Sequence, residues 1–149
     1  SSCCNNLPTH NNHCTIVQGT VFEEDVFNGD DFDKTICSIK DKTTKSEVWN
    51  VAWSNEAFEL WYILHFVDQI GGALSRESYS KMLSKYLNRQ YEKNSTDMFD
   101  KLKPHVYEAI CRAEKALLKQ ANKPYHAQNP ATTVHILVKE LLSYIPSVR

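Results

Sequence analysis

The segment SNEAFELWYILHF, Ser54 to Phe66, sets a glutamate (Glu59) and a histidine (His65) inside an apolar run. A carboxylate and an imidazole are side chains that bind metals and move protons near neutral pH. In apolar surroundings a charge has to be paired, neutralised or used. An Arg, a Lys, backbone N–H groups or a metal could partner Glu59. His65 could sit neutral in a core with both ring nitrogens bonded. Satisfied core polar residues are therefore one reading of the pair, and a functional pair is the other. Two further runs hold related chemistry. NPATTVHILVKELL places His135 beside Val134 and one turn before Val138. EEDVFNGDDFD gathers Glu23, Glu24, Asp25, Asp30, Asp31 and Asp33. That acidic run does not follow the EF-hand spacing. It reads as a solvated turn with a helix cap, or as a metal site at Asp30 and Asp31.

Two weaker constellations stand beside these. Cys3, Cys4, His10, His13 and Cys14 are zinc-ligand types, but their adjacent placement departs from the usual ligand loops, and the segment reads as an irregular tail. Lys101, Lys103, Arg112, Lys115 and Lys119 recur along one helical stretch. They form an ordinary solvated face or a phosphate-binding stripe.

The elements that must position these residues follow from periodicity. TIVQGTVF reads as a strand with a bulge at Gly19, and Asn28-Gly29 as a turn. Asp30 or Asp31 caps a short helix with Phe32, Ile36 and Ile39 on one face. SEVWNVAWS returns to alternation and reads as a second strand. The pattern from Ser54 onward is helical. A first helix, capped by Ser54, runs to about Gln69 and stops at Gly71-Gly72. A second, RESYSKMLSKYL, is capped by Ser75 and buries Tyr79, Met82, Leu83, Tyr86 and Leu87. A third starts near Ser95–Asp97, kinks at Pro104 and continues with Val106, Ile110, Ala113 and Leu117 inward. Asn129-Pro130 starts the last helix, with Val134, Leu137, Val138, Leu141 and Ile145 as its stripe.

The bulk numbers bound the function. The chain has 149 residues, 42% hydrophobic and 23% charged, with a formal net charge of −1. That is one domain of ordinary composition, with no global basic field for nucleic acid. No apolar run spans a bilayer, because Glu59, His65 and Asp68 interrupt the best candidate. The N-terminus lacks a signal-peptide pattern, so the expected location is cytoplasmic, with no membrane partner. Cys37 and Cys111 read as small core residues and the five cysteines as free thiols. No G-x-S-x-G, Walker or nucleotide-binding glycine pattern is present.

The two blocks carry a resemblance. Asn55, Phe58, Glu59, Trp61, His65 and Phe66 resemble the N-P/E-x-F-E-x-W-x-x-x-H-F block of the RloB-like family, bacterial proteins linked to restriction loci and abortive phage infection. Asn129, Pro130, Thr132, Val134, His135, Leu137 and Val138 resemble its N-P-S/T-T-x-V-H-x-L-V block. Between them lies a helix similar to the family's, with Arg112 in place. The match runs over about residues 27–142. It implies an α/β fold: a partial Toprim-like β-α-β segment followed by a predominantly α-helical region. The domain layout is an irregular tail over 1–14 and a single RloB-like domain over 15–149, with a truncated α/β part (15–54) and a helical part (55–149). The resemblance implies a metal-dependent nuclease of a phage-defence system, acting on phosphodiester bonds. Asp30 and Asp31 would hold Mg or Mn, with Glu59, His65 and His135 in one polar cluster that supports catalysis or locks helices. Nucleic acid and an ATPase would be its partners. The alternative is a non-catalytic module that binds nucleic acid or a partner protein. In the family's V-F-D-x-D-D-F context this chain has VFNGDDF, with Asn28 in the first aspartate's place, and the family's leading glutamate segment is missing. These departures point to the C-terminal part of a longer protein.

Overall fold

The computed structural model describes residues 14–15, 29–68 and 72–146, and the side chains of 31–68 and 72–146. It is a mixed α/β chain whose strands are short and whose helices carry most of the core. β1 (Cys14–Thr15), α1 (Gly29–Lys40) and β2 (Asn50–Val51) form a β-α-β unit. β1 and β2 pair in parallel, Cys14 with Asn50 and Thr15 with Val51. β3 (Ser54–Asn55) pairs antiparallel with β4 (Ala131–Thr132), Ser54 opposite Thr132. The rest of the expected first strand, 16–22, lies outside the described residues, as do the 1–13 tail, Glu23, Glu24, Asp25 and Asn28.

α1 starts earlier than its apolar stripe suggests. Gly29 is its first residue, so Asp30 and Asp31 stand in the first turn instead of capping it. Phe32, Ile36 and Ile39 are buried as the spacing predicts. The expected strand over 46–54 is replaced by two short pieces in different sheets. The cause is local: Thr44 Oγ1 accepts from the Ser46 and Glu47 main chain, and Thr43 Oγ1 accepts from Trp49 N–H. These side chains take over donors that a longer strand would have given to a ladder.

The expected helix over 54–69 shrinks to α2 (Glu59–Ile63). Ser54 is not its cap. Its hydroxyl meets Thr132 Oγ1 at 2.7 Å, and residues 54–55 go into β3. Past Ile63 the chain tightens: His65 N–H bonds the Tyr62 carbonyl and Phe66 N–H the Ile63 carbonyl. Such i→i+3 bonds are common at helix ends. α3 (Arg76–Leu87) has the expected span, with Ser75 Oγ accepting from Ser78 N–H and Asn88 left-handed at the C-cap, but it buries Tyr79, Leu83 and Leu87 and leaves Tyr86 exposed at the edge of that face. α4 (Met98–Leu102) and α5 (Val106–Lys119) are separated by a 3-10 turn over Lys103–His105, where Pro104 supplies no N–H. A second 3-10 turn covers Tyr125–Ala127. α6 (Val134–Ser143) begins after Pro130 has led into β4, so Asn129-Pro130 is not a helix start.

The main core gathers Leu60, Trp61 and Ile63 of α2 with Leu64 just past it, Tyr79 and Leu83 of α3, Ile110 and Ala113 of α5, and Val134 of α6. A smaller core under α1 joins Phe32, Ile36, Trp53 and Ala131. Two expectations about packing are corrected. Cys37 and Cys111 are exposed, not core. α1 buries the Phe32–Ile36–Ile39 face and α5 the Ala109–Ile110–Ala113 face, which leaves both thiols outside. On α6 the seam runs through Val134, Val138 and Leu142, so Leu141 and Ile145 remain exposed.

Candidate functional site

α2 carries Glu59 as its first residue, where the helix dipole favours a carboxylate. Its side chain is buried, and Tyr91 Oη donates to Glu59 Oε1 at 3.2 Å. Burial, and then the nearby Glu59 charge, push the Tyr91 phenol well above its usual range. The Tyr62 phenol is raised for the same two reasons. The two phenol rings meet edge-to-face at 6.4 Å. Glu59 therefore sits among aromatic hydroxyls with one direct donor among the described residues.

His65 is also buried. Its Nδ1 lies 2.8 Å from the Trp61 carbonyl, and its ring packs edge-on against the Trp61 indole at 4.7 Å. A neutral ring donates Nδ1–H to that carbonyl. Burial lowers the His65 pKa. The main-chain bonds to Trp61 and Tyr62 oppose the shift, while His105 and Arg112 add to it. Arg112 reaches across from α5 and donates to the Leu64 carbonyl at 2.9 Å. It is thus withdrawn from the expected basic stripe, whose Lys101, Lys103, Lys115 and Lys119 are exposed.

His135, at the second position of α6, is buried, and its Nδ1 has no hydrogen-bond partner among the described residues. Burial lowers its pKa, Glu114 and the Thr132 main chain oppose the shift, and Lys139 adds to it. Glu59, His65 and His135 thus have separate surroundings. Among the described residues, no three His, Cys, Asp or Glu side chains stand together as a metal-holding group.

What the structure does bring together is the two sequence blocks. Trp53 N–H donates to Thr133 Oγ1 at 2.9 Å, and Thr133 N–H returns a bond to the Trp53 carbonyl at 2.8 Å. Thr132 Oγ1 meets Ser54 Oγ and accepts from the N–H of Val134, the first residue of α6. Thr132 is legible in the sequence as part of a motif, but the clasp that it makes with Thr133 needs the partner strand.

A second cluster lies where α1 faces the 3-10 turn at Tyr125–Ala127. Asp33 accepts from His126 N–H through Oδ1 at 2.7 Å, and its Oδ2 lies 2.9 Å from His126 Nδ1. Asn55 Nδ2 donates to the His126 carbonyl at 2.8 Å. In the sequence Asp33 stands out only as part of an acidic run and His126 not at all, since the partners of His126 lie 93 and 71 residues away. Asp30 and Asp31 belong to the same helix. Asp31 is exposed, and the Asp30 side chain lies outside the described ones.

A family model described as RloB-like protein matches residues 19–141, most of the chain. The chain belongs to the RloB-like family. The match reaches further towards the N-terminus than the blocks alone suggested. No curated protein and no solved structure matches the chain. The RloB-like blocks, distant in sequence, meet at the β3–β4 pair. Among the described residues no helix is long and apolar enough to cross a membrane.

Proposed function

We propose that this RloB-like chain acts in phage defence as part of a metal-dependent nuclease, with phosphodiester bonds as its substrate. The observation that carries the reading is the position of Asp30 and Asp31 in the first turn of α1, within a parallel β1-α1-β2 unit. Carboxylate oxygens are the hard donors that Mg and Mn take, and Mg sites commonly use only one or two protein carboxylates beside water and phosphate oxygens. Asp30 and Asp31 fit that donor chemistry. The metal would polarise the phosphate and lower the charge on the attacked group. The chain's own part is to fix the acidic end of α1 against the rest of the fold. Asp33 does so through His126, and Trp53 through its edge-on contact with Phe32 at 5.6 Å. Glu59, His65 and His135 support the site from within the core, Glu59 by tying α2 to the segment that follows α3. This reading keeps the Toprim-like relationship of the N-terminal part, the cytoplasmic location and the ATPase partner as proposals of the same account.

A second reading, a non-catalytic module that binds nucleic acid or a partner, is favoured by Asn28. A neutral amide stands there in the place of the family pattern's first aspartate. Incubation of the chain with supercoiled DNA and with structured RNA, in Mn²⁺ or in chelator, separates the two. Metal-dependent strand cleavage, lost in Asp31→Ala, is the outcome for a nuclease. Binding without cleavage is the outcome for the module.

A further inference from the structure

We propose that His126 is the proton-accepting residue of the site at α1, with Asp33 as the residue that positions its ring. This rests on the nuclease reading above and deepens it.

His126 lies in an exposed turn, yet three hydrogen bonds from two distant elements hold it. Two of these, Asp33 Oδ1 to its N–H and Asn55 to its carbonyl, engage only the main chain. They suffice to anchor the turn with any residue at 126. The third engages the ring. A neutral imidazole that donates Nδ1–H to Asp33 Oδ2 leaves Nε2 as an acceptor. Nε2 has no partner among the described residues, and the side chain is 40% exposed. A ring oriented by a carboxylate, with its second nitrogen open, is the arrangement of a general base. Asp33 follows Asp30 by three residues in α1, so the two positions are neighbours on the helix surface. His126 is therefore held beside the end of α1 that carries the proposed ligands. Lys40, on the same helix, donates to the phenol of the adjacent Tyr125 at 3.0 Å and braces the turn's other end.

In the step, a water oxygen forms a bond to phosphorus and the bond from phosphorus to the leaving oxygen breaks. The water's proton passes to His126 Nε2. The leaving oxygen takes a proton from solvent, and the imidazolium returns its proton to solvent. The products are a phosphomonoester and an alcohol.

The test uses the full chain with Mn²⁺ and bis(4-nitrophenyl) phosphate. His126→Gln keeps both main-chain anchors, so its melting temperature should match wild type. Its kcat should fall by about a hundredfold or more with KM little changed. Added imidazole should restore turnover to His126→Gly. Independently of turnover, Mn²⁺ should broaden the ring resonances of His126 before those of His65, His105 and His135. An unchanged kcat in His126→Gln, a loss that imidazole does not restore, or a His126 ring left sharp by bound Mn²⁺ overturns the assignment and leaves the nuclease reading standing. No hydrolysis by wild type and no Mn²⁺ binding overturn both.

Discussion

Tyr91 is what makes a glutamate tolerable in the core. Glu59 is 6% exposed, and the phenol donates to it from the segment that follows α3. A hydrogen bond to a charged group contributes about 1.5–3 kcal/mol, and deleting the donor leaves the carboxylate's desolvation uncompensated. Tyr91→Phe should therefore destabilise the chain by about 2 kcal/mol, read from the urea midpoint. Glu59→Gln keeps an acceptor for Tyr91 and should cost less. A larger loss for Glu59→Gln than for Tyr91→Phe would show that the carboxylate has a partner other than this phenol. This locking role answers the question the apolar run raises. The run made Glu59 and His65 visible as buried polar groups. Their partners were not visible, because a tyrosine after a distant helix and a main-chain carbonyl one turn back leave no pattern in composition.

At the scale of elements, the RloB-like blocks work as a clasp. Ser54 pairs with Thr132 and Trp53 with Thr133 through side-chain and main-chain bonds, and Thr132 Oγ1 accepts from Val134 N–H where α6 starts. Thr132→Val keeps the shape and removes one buried hydroxyl. It leaves Ser54 Oγ and Val134 N–H without that acceptor, so a loss of about 1–3 kcal/mol is expected. Hydrogen exchange should show faster opening at the start of α6, whereas protection equal to wild type would count against the clasp. The amphipathic stripes of α1, α3 and α5 were legible in the sequence, since Phe32, Ile36, Tyr79, Leu83, Ile110 and Ala113 all repeat at helical spacing and all are buried. The edges of α2 and α6 were not. Ser54 and Asn129-Pro130 are good helix starters locally, but strand pairing between blocks claims Ser54 and the Ala131–Thr132 pair that follows Pro130. Local propensity is a weak prior where tertiary partners compete for the same backbone groups. The candidate site was legible only in part: Asp30 and Asp31 stood out as acids, and the Asp33–His126–Asn55 contacts depend on long-range folding.

For the whole molecule, two buried imidazoles set a pH dependence. The pKa values of His65 and His135 are both lowered by burial. Below the ordinary imidazole value of about 6.5, the unfolded chain takes up protons that the folded chain refuses. Stability then rises with pH in that window. The contribution is complete above about pH 6.5 and is lost as pH falls through the lowered folded values. The urea midpoint should drop between pH 7 and pH 5, and the drop should be smaller in His65→Gln. An equal drop in wild type and variant would place the titration elsewhere. The proposed metal site, at the acidic end of α1, lies apart from these packed groups. Calorimetric titration with Mg²⁺ and Mn²⁺ of wild type, Asp30→Ala and Glu59→Gln tests that division most directly. Saturable binding in wild type and Glu59→Gln, lost in Asp30→Ala, is the predicted result. Binding lost in Glu59→Gln, or no binding in wild type at millimolar metal, would contradict it.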